Sequence, residues 1–321
     1  MHNFDAALPA KETHMQYTRT LDRTFAVAPG ARLRIANRSG ELTVIGEDRA
    51  DISLSAQISV HAESQRDADR QLDDIQIPIS ARDDHVEVGP PEYPDRRSGG
   101  VSLLMGFVVG FHGLGTRVNM VARVPRDCVV SAEHRSGPLR ISGLGAGLRA
   151  ESRSGRSEVT EVAGDVTFES RSGTTEIRRI DGDLEVESRS GRLEVEGVSG
   201  KTTVRSRSGS VVISDIDGPL VVESRAGRIQ IEDARGAMRI RSHAGAVEVR
   251  GRVVQPIDIE LHSGHVKLAV TRDSAFFMDA ETHVGSVRSE LPVNYLDGPP
   301  SDDAPVVRVR THTGAVRVVA A

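Results

Sequence analysis

Serine, arginine, glutamate and histidine, residue types that can carry chemistry, recur in this chain at fixed distances. Glu151-Ser152-Arg153-Ser154-Gly155 returns as Glu169-Ser170-Arg171, Glu187-Ser188-Arg189 and Glu223-Ser224-Arg225. A serine nucleophile needs a base beside it and a sharp turn that presents its hydroxyl. Here serine recurs unit after unit, with no Gly-x-Ser-x-Gly elbow, no His-Glu-x-x-His and no phosphate loop. Repetition marks the Arg-Ser-Gly tripeptides as turns. The carboxylates are spread along the repeat rather than paired, and no tryptophan offers a sugar platform. No enzymatic activity is expected.

The arginine slot holds Arg135, Arg153, Arg171, Arg189, Arg207 and Arg225, and continues as His243 and His262, then His283 and His312, with His134 at the opposite end. In a strand, residues i and i+2 share a face, so each Glu lies beside the Arg of its own unit and the intervening serine points inward. Two uses of that strip stand open. One is a solvated salt-bridge face, each exposed pair contributing about 0–1 kcal/mol. The other is a docking strip for an acidic polymer or a lipid headgroup. The candidate interaction face is therefore Arg135, Arg153, Arg171, Arg189, Arg207, Arg225, His243 and His262.

A column of imidazoles about 5 Å apart could respond to pH or meet a transition metal. Ligands in a straight ladder do not converge on a tetrahedral centre, so the histidines are expected to be exposed polar replacements. Asp181, Asp183, Asp215 and Asp217 cluster at a second turn row, but calcium rolls need Gly-Gly-x-Gly-x-Asp turns and none occurs. Ordinary Asp-Gly turns are expected there. No cofactor and no metal are expected.

What must position these residues is a repeat. Gly137, Gly155, Gly173, Gly191, Gly209, Gly227 and Gly245 fall 18 residues apart, and Gly164, Gly182, Gly200, Gly218 and Gly236 lie midway. Within the unit from Gly191, Leu193 and Val195 alternate with charged residues, Val198 precedes Gly200, and Thr202 and Val204 alternate again. That is the period of half-buried strands. Like residues at a fixed period must meet like surroundings, which parallel stacking supplies at about 4.8 Å per rung. The expected fold is all-β, a parallel β-solenoid with an 18-residue, two-strand coil and glycines turning both corners at positive φ. The array loosens through Gly264, Gly285 and Gly314, with an insertion from Leu291 to Ala304.

The N-terminal part is less regular. Asn37-Arg38-Ser39-Gly40 with Glu41-Leu42-Thr43-Val44-Ile45 makes a distant first coil. Strand-like runs follow at Ile52 to Val60, Ile75 to Ile79, His85 to Val88 and Val118 to Val124, with a short helix around Arg66 to Asp74. The division expected is a disordered tail over 1–21, a first coil with an irregular β-rich insertion or cap over 22–126, and the regular solenoid over 127–321. The apolar run Val101 to Phe111 either folds onto the open end of the solenoid or forms an exposed tip. The C-terminus, ending within the strand Ala315 to Val319, has no evident cap, so end-to-end association is open to it.

Hydrophobic residues make up 38% and charged residues 27%, while aromatics are only 3%, so the core must be built from Val, Ile and Leu. A net charge of -5 with interspersed signs argues against nucleic acid as a partner. Lysine occurs only at 11, 201 and 267, so nearly all cations are arginines, the better partner for planar anions. Cys128 is the single cysteine and sits in an apolar strand as an inert thiol. No signal peptide and no spanning segment is visible, so as written the expected compartment is the cytoplasm.

The run Phe25-Ala26-Val27-Ala28-Pro29-Gly30-Ala31-Arg32-Leu33-Arg34-Ile35, then Arg38-Ser39-Gly40-Glu41-Leu42-Thr43-Val44, Val121-Ala122-Arg123-Val124-Pro125 and the Ser-Arg-Ser-Gly array resemble a known family. It is the bacterial β-strand-repeat domain-of-unknown-function family labelled putative adhesins. The resemblance covers nearly the whole chain from about residue 22. It implies a β-solenoid, envelope association and no catalytic residues. The function expected is a repeat scaffold or adhesin-like interaction protein, working through a charged face or its ends on a protein or cell-envelope component. The alternatives are a cytoplasmic self-assembling β-helix and, behind it, a carbohydrate-active enzyme.

Overall fold

The structure is a computed structural model that describes residues 15–92, 116–271, 274, 276–290 and 304–321. The apolar run Val101 to Phe111 and nearly all of the insertion from Leu291 to Ala304 lie outside the described residues. The chain is all-β and solenoid-like, with 22 strands in one hydrogen-bonded sheet and one helix among the described residues.

The N-terminal part comprises β1 (Met15–Ala26), β2 (Arg32–Asn37), β3 (Leu42–Glu47), β4 (Asp51–Ala62), α1 (Gln65–Asp73), β5 (Ile79–Arg82), β6 (His85–Val88) and β7 (Arg117–Pro125). The array begins with β8 (Val129–Ser136) and β9 (Leu139–Leu144), then β10 (Leu148–Ser154) with β11 (Arg156–Val162) and β12 (Val166–Ser170) with β13 (Thr174–Ile180). Next come β14 (Leu184–Ser188) with β15 (Arg192–Val198) and β16 (Thr202–Ser206) with β17 (Ser210–Ile216). From β18 (Leu220–Ala234) the corner no longer interrupts the strand, and β19 (Met238–Gly251), β20 (Ile257–Val270), β21 (Phe277–Ser289) and β22 (Val306–Ala320) each run through it.

Pairing is parallel and in register. Leu184 of β14 stands between Val166 of β12 and Thr202 of β16, and Leu193 of β15 between Thr175 of β13 and Val211 of β17. The core lies between the two faces so formed, where Leu184, Val186, Leu193, Val195 and Val198 are all essentially inaccessible. Phe168 is the largest of the fully buried side chains, and its stacked neighbours are Ala150 and Val186. Small above large keeps the column filled.

The two corners use different devices. At the first, Gly191 has φ +115°, and a Cβ there would overlap the carbonyl oxygen of Gly173 in the adjacent rung. The strict spacing of that row follows from both facts. The midway row differs from the expectation: Gly164, Gly200, Gly218 and Gly236 do not take positive φ, and glycine is required because neighbouring backbone passes too close for a Cβ. Positive φ falls instead on Gly143, Glu161, Arg179, Gly197, Asp215 and Asp233, between 51° and 73°. These residues are skipped by the ladder, as in Thr160 with Arg178 followed by Val162 with Ile180. One residue steps out of the ladder at the same place in each successive strand, a stacked bulge that shifts the buried phase. It is why Val195 is followed inside by Val198 and not by Gly197.

The ends also differ from the sequence order. Coil β2–β3 stacks directly on β8–β9, Leu33 with Val130 and Leu42 with Leu139. Beyond it, β6 pairs parallel with β2 and antiparallel with β5, while β7 pairs parallel with β3 and antiparallel with β4. Strand β1 adds antiparallel to β4 from Met15 onward, so the stretch expected as a tail over 1–21 includes ordered strand from that residue. Helix α1, capped by Ser64 whose Oγ accepts from the Asp67 N–H, buries Ala68 and Leu72 against this end. Of the strand expected over Ile75 to Ile79, the part before Pro78 reduces to a lone bridge of Gln76 with Glu92, because Pro78 has no N–H to give a ladder, and Ile79 opens β5. At the far end β22 lies between β20 and β21. The C-terminal strand is thus interior, and among the described residues β21 is the outer rung, which corrects the expectation of an uncapped C-terminal edge.

Candidate functional site

A lengthwise groove of about 1950 Å³ follows the first corner from end to end of the array. It is positioned by the last residues of each first strand. The serine row between its charged rows is buried at Ser152, Ser170, Ser188, Ser206 and Ser242. The second serine of the unit pins the corner: Ser172 Oγ donates to the Arg153 carbonyl at 3.1 Å, and Ser190 Oγ to that of Arg171 at 3.1 Å. Each arginine backbone is therefore held by the next rung, while its side chain is exposed.

One row of the groove is acidic, and every glutamate in it is paired. Arg34 holds Glu87 and Glu133, at 3.6 and 3.0 Å, and Arg149 holds Glu151 and Glu169, at 3.7 and 3.0 Å. Further along, the row interleaves its own cations in the order Glu187, Arg205, Glu223, Arg241, Glu260, Arg310, Glu281. Arg205 reaches Glu187 and Glu223, Arg241 reaches Glu260 at 3.0 Å, and Arg310 reaches Glu281 at 3.9 Å. The Arg205 guanidinium is held above its ordinary pKa chiefly by its hydrogen bond to Glu185.

The other row is Arg135, Arg153, Arg171, Arg189, Arg207 and Arg225, with Arg38 of the first coil preceding them in the same groove. None of these seven has an ion-pair partner among the described residues. The pairing of Glu with the Arg two residues on, expected from strand alternation, does not form. Arginines on the far side of the glutamates, Arg34 and Arg149, and arginines within the glutamate row itself, Arg205, Arg241 and Arg310, reach them instead. What remains is an uncompensated cationic column at about 4.8 Å per rung. Neighbouring heads repel by at most about 1 kcal/mol in a water-like dielectric, so the fold tolerates the column without rewarding it.

His243 and His262 continue that column, but the spatial order then runs His312 before His283 because β22 lies inside β21. Successive rings stack at 4.7, 5.1 and 5.0 Å, within 3°, 5° and 8° of parallel. Parallel rings aim their nitrogens along parallel lines, a poor arrangement for one metal. No cluster of three or more metal-ligating side chains occurs among the described residues.

His134 does not belong to this column. Its register partner is Ser152, so it occupies the buried serine row, 4% exposed. Neither ring nitrogen makes a well-aligned hydrogen bond. Burial pushes its pKa down, opposed in part by nearby backbone of Gly137, Asn37 and Gly40. The unfolded chain therefore takes up this proton at higher pH than the folded one, so stability is full above about pH 6.5 and falls below it. His134→Gln is expected to flatten that decline, measured as urea midpoints between pH 7 and pH 5. An unchanged slope would remove His134 as its source.

The remaining candidates are structural. Burial pushes the Cys128 thiol up to about 11, which leaves it protonated and unreactive. Asp165 accepts the Asp183 N–H at 3.0 Å and Asp183 accepts the Lys201 N–H at 2.8 Å, so these carboxylates serve the turn backbone of the next rung. Sequence alternation found the arginine column but missed its lack of partners, because most of the competing arginines belong to other units. The unbroken Glu133, Glu151, Glu169, Glu187 row giving way to Arg205, Arg241 and Arg310 was the available signal.

No helix of the described residues is long and apolar enough to cross a membrane. No curated protein matches the chain. Among solved structures it is similar to a putative cell adhesion protein from Clostridium sporogenes, at 12% identity over 94% of this chain and 100% of that one, with a TM-score of 0.22. It is also similar to a putative adhesin from Bacteroides fragilis, at 10% identity over 94% and 97% with a TM-score of 0.30. A third, a putative adhesin from Parabacteroides distasonis, gives 10% over 94% and 97% with a TM-score of 0.28. A family model meets the chain over residues 31–299, spanning the first coil, the N-terminal insertion and the array as far as β21, and the chain belongs to that family, Toastrack DUF4097.

Proposed function

We propose that this protein is a non-catalytic, adhesin-like interaction scaffold that docks a protein or cell-envelope component in its lengthwise groove. Its frame is a parallel β-solenoid whose 18-residue coil contributes two strands, a reading supported by the rung-to-rung registers. One observation carries the functional reading. Seven stacked arginines lack ion-pair partners among the described residues while every glutamate of the adjacent row is taken. A face built only for stability would pair them with each other. Arginine suits planar carboxylate or phosphate groups, and the groove distributes contacts instead of gathering catalytic groups at one point.

The test is sedimentation of the purified protein with isolated bacterial envelope fragments, for wild type and for Arg171→Gln/Arg189→Gln/Arg207→Gln. These side chains have no ion-pair partners to lose, so the fold should survive, as circular dichroism would verify. At least tenfold weaker binding of the variant is expected. Equal binding would refute the groove. The outer edge of β21 favours a second reading, self-assembly by strand addition. Concentration-dependent sedimentation of both proteins without fragments would shift the conclusion to it.

A further inference from the structure

The cationic column is single-file. From Arg38 to the outermost histidine it occupies eleven rungs, about 50 Å at strand spacing. Its members are seven arginines followed by four histidines, they are exposed, and the corner backbone behind them is hydrogen-bonded rung to rung. The chain as a whole carries a net charge of -5, so attraction of an anion to the molecule at large does not account for a preference for this face. The local strip must supply it.

Resting on the groove reading above, we propose that the groove seats one linear polyanion lengthwise, its closely spaced carboxylates or phosphates against the arginine column. We further assign the stacked histidines as an extension of that strip which acidification switches on. A flat anionic membrane fits the observations less well. It would have to reach a column lying in a groove beside the acidic row, whereas a slender chain can lie along the column itself.

Histidine gains its charge between about pH 5 and 8. The charged groups facing the stack are Arg225 at its inner end, with Arg241, Glu260, Arg310 and Glu281 in the adjacent row. Those two glutamates face those same two arginines, Arg241 with Glu260 and Arg310 with Glu281, so the adjacent row brings no net negative charge to the stack. His265, on β20, lies past the corner glycine Gly264. A polyanion laid along these rings, stacked about 5 Å apart, favours the charged form of each imidazole it faces. The bound state therefore holds more protons than the free one, and affinity rises as pH falls.

The experiment is isothermal titration of the full chain with linear polyphosphate and with polygalacturonate. Monomeric phosphate and galacturonate at equal total charge, and phosphatidylglycerol vesicles, serve as the comparison arms. At least one polymer is expected to bind a hundredfold or more tighter than its monomer, weakening with salt. Its affinity should rise at least fivefold from pH 7.5 to pH 5.5. His243→Gln/His262→Gln/His283→Gln/His312→Gln should keep the pH 7.5 affinity and lose that gain. Polymers binding no better than monomers, or vesicles competing better than either polymer, would overturn the polyanion. A pH gain that persists in the histidine variant would overturn the switch. If Arg171→Gln/Arg189→Gln/Arg207→Gln loses envelope binding while neither polymer binds, this ligand class falls and the groove reading stands.

Discussion

Replacing Gly191 by alanine is expected to destabilise the protein by about 2–5 kcal/mol, combining roughly 1–2 for an L-residue at positive φ with about 1–3 for forced overpacking. Gly191 sits at φ +115°, and the atom that a methyl would strike is the backbone carbonyl of Gly173, which cannot rotate away. Relief would require moving one rung against the next, and that strains the hydrogen bonds of both. Two controls separate the causes. Gly30 also has positive φ, +71°, but nothing lies within 4 Å of a Cβ there, so Gly30→Ala should cost only about 1–2 kcal/mol. Ser190→Ala removes the 3.1 Å bond to the Arg171 carbonyl and should cost about 0.5–1.5 kcal/mol, since Ala226 and Ala244 already occupy that slot in later rungs. Urea midpoints decide the matter. A Gly191→Ala shift no larger than that of Gly30→Ala would mean that the stacked glycines do not set the spacing.

Deleting residues 304–321 should remove two rungs rather than one. Strand β22 pairs with β20 on one side and β21 on the other, and β21 has no other strand partner among the described residues. In a solenoid each rung is held by its neighbours. Without β22, residues 277–289 lose every ladder bond and should exchange their amide hydrogens at close to the unprotected rate, while β14 and β15 keep their protection. The uncovered edge of β20 would also promote concentration-dependent association. Hydrogen-exchange mass spectrometry checks the first effect and sedimentation the second. If the peptide spanning 277–289 stays protected, the rungs lie in chain order and the order of the histidine stack is wrong with them.

Much of the architecture was legible because it is local and repeated. A glycine every 18 residues, with Leu193 and Val195 alternating against charges, leaves few ways to bury the apolar positions. The same logic located the arginine column. It failed wherever the answer depended on a residue from another unit. Glu187 was assigned to Arg189, two residues away on its own strand, yet it meets Arg205 in the next rung. His134 matched the histidine column by type, but register puts it beside Ser152 in the buried row. The bulge column was hidden because Glu161, Arg179 and Asp215 are poor advertisements for positive φ, whereas the midway glycines are good ones that the fold uses for close approach.

Sequence alone determined what repeats: the strands, their buried face, the corner glycine and the placing of one arginine per coil. These follow from side-chain alternation and from the steric demand of a single backbone position, which each unit carries within itself. Tertiary structure alone decided who pairs with whom and in what order. Ion pairing across rungs is settled by the distances between rows, and the interior position of β22 by a connection whose path the repeat does not encode. The arginine column is left without ion pairs for that reason, and its chemistry with it.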